Sequence, residues 1–229
     1  MGYILLEGGA EFSGQMAVPD RRAMALAGGP HARMRVIPAA AAPDNNHRRA
    51  GRNAERWFRQ LGATDAAALP LIDRQSAQDA SLAKSLRESK LIYLLGGFAH
   101  HLARSLAGTA AWEAICRARG DGAVVGGSSA GAMVMCEVYY HPADDRLLPG
   151  LNLVAGACVL PHHDTFGQSW AARIRRLLPE IVMIGIDEET GMLDDAGSGC
   201  WRVYGKGGVT LYSRGQVRRY GSAEEFCLQ

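Results

Sequence analysis

The stretch Ala123-Val124-Val125-Gly126-Gly127-Ser128-Ser129-Ala130-Gly131-Ala132 carries an apolar run straight into a G-x-S-x-G pattern, with a helical segment behind it. The run reads as a buried strand, and the small residues after it permit the sharp, strained turn that holds a serine hydroxyl at the carboxyl edge of a sheet. Ser129 is the central serine of that turn. The helix that follows points its first amides at the same spot, where they favour developing negative charge. A glycine-rich turn that binds phosphate or merely packs tightly is the competing reading, and Ser128 is the competing hydroxyl, read as a support of the turn.

Outward from this elbow, short apolar runs at residues 3–7, 34–38, 68–72, 91–95, 123–126, 157–160 and 181–186 read as strands. Between them, amphipathic segments at 20–27, 46–61, 76–89, 98–119 (broken near Gly108), 131–138 and 167–178 read as helices. Continuous apolar strands alternating with helices predict an α/β fold: a three-layer, doubly wound, mostly parallel sheet. From Gly191 onward, short alternating runs flank Gly205-Lys206-Gly207-Gly208, which predicts antiparallel hairpins extending the sheet edge. No repeat or linker divides the chain, so residues 1–229 are expected to form a single α/β hydrolytic domain.

Composition narrows the function classes. The chain has 229 residues, 48% hydrophobic and 21% charged, and its 25 Lys+Arg against 23 Asp+Glu leave a formal charge of +2. So small and dispersed a charge argues for neither nucleic acid nor an anionic membrane as partner. No run approaches the roughly 20 apolar residues of a membrane span, and a cytoplasmic location is expected. Five cysteines without CxxC spacing read as buried reduced thiols, with neither a disulfide framework nor a metal site expected.

A serine nucleophile needs a base, and an acid to orient that base. His162 and His163 follow the strand expected at 157–160, so they emerge at the same carboxyl edge as Ser129. His100 and His101 follow Gly96-Gly97 at another strand end and are expected near the pocket. There a backbone amide can approach closely, so Gly97 and Ala130 are the expected oxyanion-hole donors. For the acid, Asp144 and Asp145 after the elbow helix compete with Asp187, Glu188 and Glu189 after the strand at 181–186. The residues alone leave that choice open.

Taken together, the elbow G-S-S-A-G-A, the earlier L-L-G-G, the later L-N-L-V-A-G ending in P-H, and G-I-D-E-E-T resemble the dipeptidase E and cyanophycinase family of serine peptidases. The resemblance runs from about residue 3 to residue 212. It implies a class I glutamine amidotransferase-like fold with the elbow cysteine replaced by serine, and hydrolysis of aspartyl peptides without metal or organic cofactor. It also implies Ser129 as nucleophile, His162 in Pro161-His162 as general base, and Glu188 in G-I-D-E as orienting acid, with Asp144 as second candidate for that role. The chain departs from the pattern at Phe98-Ala99-His100, where relatives carry a polar residue after the Gly-Gly. It departs again near Trp170, where a basic residue would be expected and Arg173 lies close by.

The expected partner is therefore a small peptide. Phe98, His100, His163 and Arg173 are the expected substrate-binding residues, Arg173 through a carboxylate. The assembly stays open, a homodimer included. An esterase or amidase on the same elbow, and a non-catalytic small-molecule-binding relative, are the alternatives.

Overall fold

The structure is a computed structural model that describes residues 1–197, 199–213 and 215–228. In chain order its first half comprises β1 (Ile4–Glu7), α1 (Ala17–Leu26), β2 (Met34–Ile37), α2 (His47–Gln60), β3 (Ala66–Ala68), α3 (Ala80–Arg87), β4 (Leu91–Leu94) and α4 (Ala99–Leu106). Then follow α5 (Ala110–Gly120), β5 (Val124–Ser128), α6 (Ala130–Met135), β6 (Val138–His141), β7 (Arg146–Pro149), β8 (Ala157–Leu160) and α7 (Ala171–Leu177). The chain closes with β9 (Val182–Ile186), β10 (Thr190–Leu193), β11 (Cys200–Gly205), β12 (Gly208–Ser213), β13 (Gln216–Gly221) and β14 (Glu225–Cys227).

Eight strands form the main sheet in the order β14-β11-β10-β1-β5-β4-β2-β3. Every pairing from β1 to β3 is parallel, whereas β10, β11 and β14 run antiparallel to their neighbours. Because side chains alternate across a strand, Ile4, Leu6, Ile92, Leu94 and Val125 enter one core, beneath α3, α4, α5 and α6. Leu5, Leu91, Tyr93 and Val124 enter the other, where Ala23 and Met24 of α1 and Ala54 and Phe58 of α2 cover them. Helices on both faces of a mostly parallel sheet are the three-layer architecture that the apolar runs predict.

The β6–β7 hairpin is an addition to the sequence reading, and four further details differ from it. The third strand, expected at 68–72, lies at Ala66–Ala68; it cannot run on through 72 because Pro70 has no N–H to donate and the amide of Ile72 turns aside to Ser76 Oγ at 2.9 Å. The runs at 157–160 and 181–186 do form parallel strands, but in a second sheet of order β13-β12-β9-β8. The expected hairpin around 205–208 is divided: β11 joins the main sheet and β12 the second. The link between them is tied down at the turn after β9, by Lys206 N–H to Glu189 O at 2.9 Å and Gly207 N–H to Thr190 Oγ1 at 2.9 Å.

The fourth difference is a disulfide between Cys200 and Cys227, which corrects the reading of all five cysteines as thiols. The two residues stand opposite each other in the β11–β14 pairing, a proximity that sequence spacing could not reveal. Cys116, Cys136 and Cys158 remain thiols. No helix among the described residues is long and apolar enough to cross a membrane.

Candidate active site

The elbow begins where β5 ends. Ser129 has φ 49° and ψ −112°, a conformation L-residues rarely hold, and its amide donates to Glu7 O of the adjacent β1 at 3.0 Å. That bond fixes the turn against the sheet. Ser129 stays partly exposed while Ser128 beside it is fully buried, so only the first presents a hydroxyl to a substrate.

Gly97, at the end of β4, lines the same space as Ser129. Its φ is +133°, and a Cβ there would lie 2.4 Å from Ala40 O, so only glycine lets the backbone run this close to the segment after β2. Neither the Gly97 amide nor the Ala130 amide at the start of α6 donates to a backbone acceptor among the described residues.

His162 follows β8 and is held in a left-handed conformation with φ 48°. Its amide donates to Gly8 O at 2.8 Å, and its carbonyl accepts from the amides of Thr165, Phe166 and Gly167, each at 3.0 Å. Thus fixed, the imidazole places Nε2 2.9 Å from Ser129 Oγ and Nδ1 2.9 Å from Glu188 Oε1. Glu188 is positioned in turn, its amide donating to Asp164 Oδ1 at 2.9 Å. The Phe166 ring stacks on the imidazole with centroids 5.0 Å apart.

Behind this chain lies a second histidine–acid pair. His163 is 5% exposed and its Nε2 lies 2.8 Å from Tyr212 Oη, with Nδ1 3.4 Å from Asp187 Oδ1. Asp187 also accepts from the Gly208 amide at 2.9 Å and from Arg219 Nη2 at 2.5 Å. Burial alone would raise the Asp187 carboxyl, but the hydrogen bonds from His163, Arg219 and Gly208 outweigh it and hold the group at about 2.

The expected substrate-binding residues divide. Phe98 and His100 line the cavity beside Ser129, and His100 Nδ1 lies 2.9 Å from Tyr139 Oη. His163 does not reach that cavity: it packs over Gly185 and bonds Tyr212, on the face of the second sheet that carries Met183, away from the core shared with the main sheet. Arg173 is committed to Asp145, whose carboxylate takes both its Nε, at 2.8 Å, and its Nη2. Asp144 sits 3.2 Å from Arg146 Nη2 and 3.3 Å from His141 Nδ1, on the β6–β7 turn, and makes no contact with His162.

Three features of the site escaped the sequence reading. A Cβ on Gly9 would lie 2.2 Å from His162 Cε1, so the loop after β1 makes room for the imidazole. The signal was there: Gly8-Gly9 at the end of β1 repeats the strand-then-glycines pattern of Gly96-Gly97. Glu11 Oε1 accepts the Gly96 amide at 3.1 Å, so a carboxylate from that same loop steadies the strand end before Gly97.

Beneath the elbow, Glu7 and Asp20 are buried together, Glu7 accepting from Tyr93 Oη and Asp20 from Trp57 Nε1 at 2.7 Å. Glu7 Oε1 and Asp20 Oδ1 find no N–H or O–H donor among the described residues, and a proton shared between the carboxyls satisfies both. Burial lifts Asp20 to about 7 against the hydrogen bonds from Trp57 and Glu7. Burial and the Asp20 charge lift Glu7 well above the ordinary carboxylate range.

The model of peptidase family S51 matches residues 4–195. A peptidase from an acI-B1 Actinobacterium has a similar structure, with a TM-score of 0.87 at 23% identity, covering 100% of this chain and 97% of that one. A protein assigned as a peptidase E from Listeria monocytogenes EGD-e is similar at a TM-score of 0.62 and 15% identity, covering 97% of this chain and 100% of that one. At these identities the likeness is one of fold. No curated protein sequence matches the chain.

Proposed function

The chain belongs to peptidase family S51 and is a serine peptidase of the dipeptidase E type, and from that premise we propose that Ser129, His162 and Glu188 form its catalytic triad and cleave a peptide bond in a small peptide. The observation that carries this reading is the unbroken chain Ser129 Oγ to His162 Nε2 to Glu188 Oε1, with 2.9 Å at each step. Glu188 accepts the Nδ1 proton, which leaves Nε2 free to accept the serine proton.

As Ser129 Oγ attacks the scissile carbonyl, His162 takes its proton and the C–N bond lengthens through a tetrahedral intermediate. The amides of Gly97 and Ala130 donate to the oxyanion. His162 then protonates the leaving amine, and an acyl-enzyme remains. Water, deprotonated by the same imidazole, releases the acid product and restores the serine. Asp144, held by Arg146 and His141, has no part in these steps.

The test is a serine-directed fluorophosphonate with mass mapping of the adduct, run beside a panel of aspartyl and non-aspartyl dipeptides. Labelling confined to Ser129 with dipeptide turnover is expected. Ser129→Ala should abolish labelling and lower turnover by several orders of magnitude, with folding intact; a loss of only about tenfold would remove Ser129 from its role. Turnover of activated esters without any peptide cleavage would replace the peptidase by an esterase on the same elbow.

A further inference from the structure

Two cavities of different character meet at Ser129. One, of about 450 Å³, is bordered by Glu11, Asp44, Asn46, Arg49 and Asn53 and is polar and charged. The other, of about 760 Å³, has Phe98, Tyr140, Phe166 and Trp170 on its wall, among histidines, two arginines and small apolar residues. Phe166 stacks on the His162 imidazole, Trp170 lies 5.4 Å from Phe166 and Tyr140 lies 5.3 Å from Trp170, centroid to centroid. A continuous aromatic ladder thus runs from the proposed base along the wall of this cavity. Phe98, next to the proposed oxyanion donor Gly97, borders it as well.

These rings are not packed away. Phe98 is 51% exposed and Phe166 48%, two of the few large apolar side chains that the fold leaves open to water. Apolar surface held open beside a nucleophile gains stability when a ligand covers it.

The cations of the cavity answer the opposite possibility, an acidic side chain. Arg74 already donates to Ala107 O at 2.6 Å. Arg104 has no carboxylate partner among the described residues but is exposed, where water competes for any ion pair it forms. His100 is held below its ordinary value first by burial and then by the nearby His141 and Arg104, so it offers a neutral ring. A carboxymethyl side chain would leave most of the volume to water and the rings uncovered.

Resting on the reading of Ser129 as nucleophile, we infer that the larger cavity is the specificity pocket and takes a bulky aromatic side chain from one of the two residues that flank the scissile bond. Phe98, Phe166 and Trp170 form its walls and make the substrate an aromatic, not an aspartyl, peptide.

The experiment compares kcat/KM for matched dipeptides carrying Phe, Trp, Ala or Asp in turn on each side of the bond, with fluorophosphonate labelling of Ser129 followed in parallel. At one of the two positions Phe or Trp should exceed Ala and Asp by at least about tenfold. Phe98→Ala and Trp170→Ala should each bring that ratio close to one while Ser129 continues to label; the Phe98 ring is the more exposed of the two, so its loss is the safer for folding. A flat profile, or a preference for Asp, in protein whose Ser129 labels normally overturns the aromatic pocket and leaves the peptidase reading standing. Absence of both labelling and turnover overturns that reading, and this pocket with it.

Discussion

At the scale of single residues, the proposed mechanism turns on the orientation of the His162 imidazole, which two neighbours hold. Glu188 meets His162 Nδ1 at 2.9 Å through a side chain that is 40% exposed. Glu188→Gln keeps the shape but can offer an N–H where an acceptor is needed, favouring the tautomer that cannot take the serine proton. We expect kcat to fall by roughly 10²- to 10⁴-fold with KM little changed, measured on any dipeptide the enzyme turns over; an undiminished kcat would mean another group orients the ring. Gly9→Ala acts on the same ring from the other side, since its Cβ would fall 2.2 Å from Cε1 at a φ of +142°. Displacement of the imidazole by about 1 Å should cost on the order of 100-fold in kcat and slow fluorophosphonate labelling in proportion, and labelling at the parental rate would refute it. The meeting of Ser129 and His162 was legible because each stands where a strand ends. The residues alone left the acid open, the family resemblance put Glu188 before Asp144, and the crossing of the chains after β8 and β9 is what brings Glu188 to His162.

At the scale of elements, the second sheet is the mount for His162 and Glu188, the proposed base and acid. The segments after β8 and after β9 each carry a run of titratable residues, His162-His163-Asp164 and Asp187-Glu188-Glu189, and each run divides between the site and the second sheet. His162 and Glu188 meet Ser129 on one side, while His163 and Asp187 meet Tyr212, Gly208 and Arg219 on the other. The Asp187 carboxylate, held at about 2, is an acid whose folded value is depressed. Its contribution is therefore present above the unfolded value near 4 and is lost as pH falls toward 2, amounting to about 2 kcal/mol. Asp187→Asn should lower unfolding stability in urea at pH 7 by at least that order, with the difference from the parent shrinking as the pH is taken down from 4. An equal difference at both ends would show that the ionised form is not what matters. Periodicity told buried strands from helices here, but it could not tell which sheet 157–160 and 181–186 would join, because a continuous apolar run fits any strand covered on both faces.

At the scale of the whole molecule, the main sheet seals Glu7 and Asp20 into the layer that α1 and α2 cover, directly below the elbow. Glu7 at the end of a strand and Asp20 in the first turn of a helix stand 13 residues apart, and the packing of α1 against the sheet makes them a buried pair. Both carboxyls have values raised by burial, Asp20 to about 7, so the folded chain keeps protons that the unfolded chain has released above roughly pH 4. Stability must then decline as pH rises from about 4 through 7, with a slope of about 1.4 kcal/mol per pH unit for each proton retained, opposite in sign to the Asp187 effect. Asp20→Asn removes one ionisable group while keeping both neighbours satisfied, since its carbonyl can still accept from Trp57 Nε1 and its amide can donate to Glu7. The variant should have a flatter profile of Tm against pH between 5 and 8 and a higher Tm than the parent at pH 8. Parallel profiles would mean that the pair does not hold its proton. Glu7 thus serves two structures at once, its carboxyl in the buried pair and its main-chain carbonyl as acceptor of the Ser129 amide at the elbow.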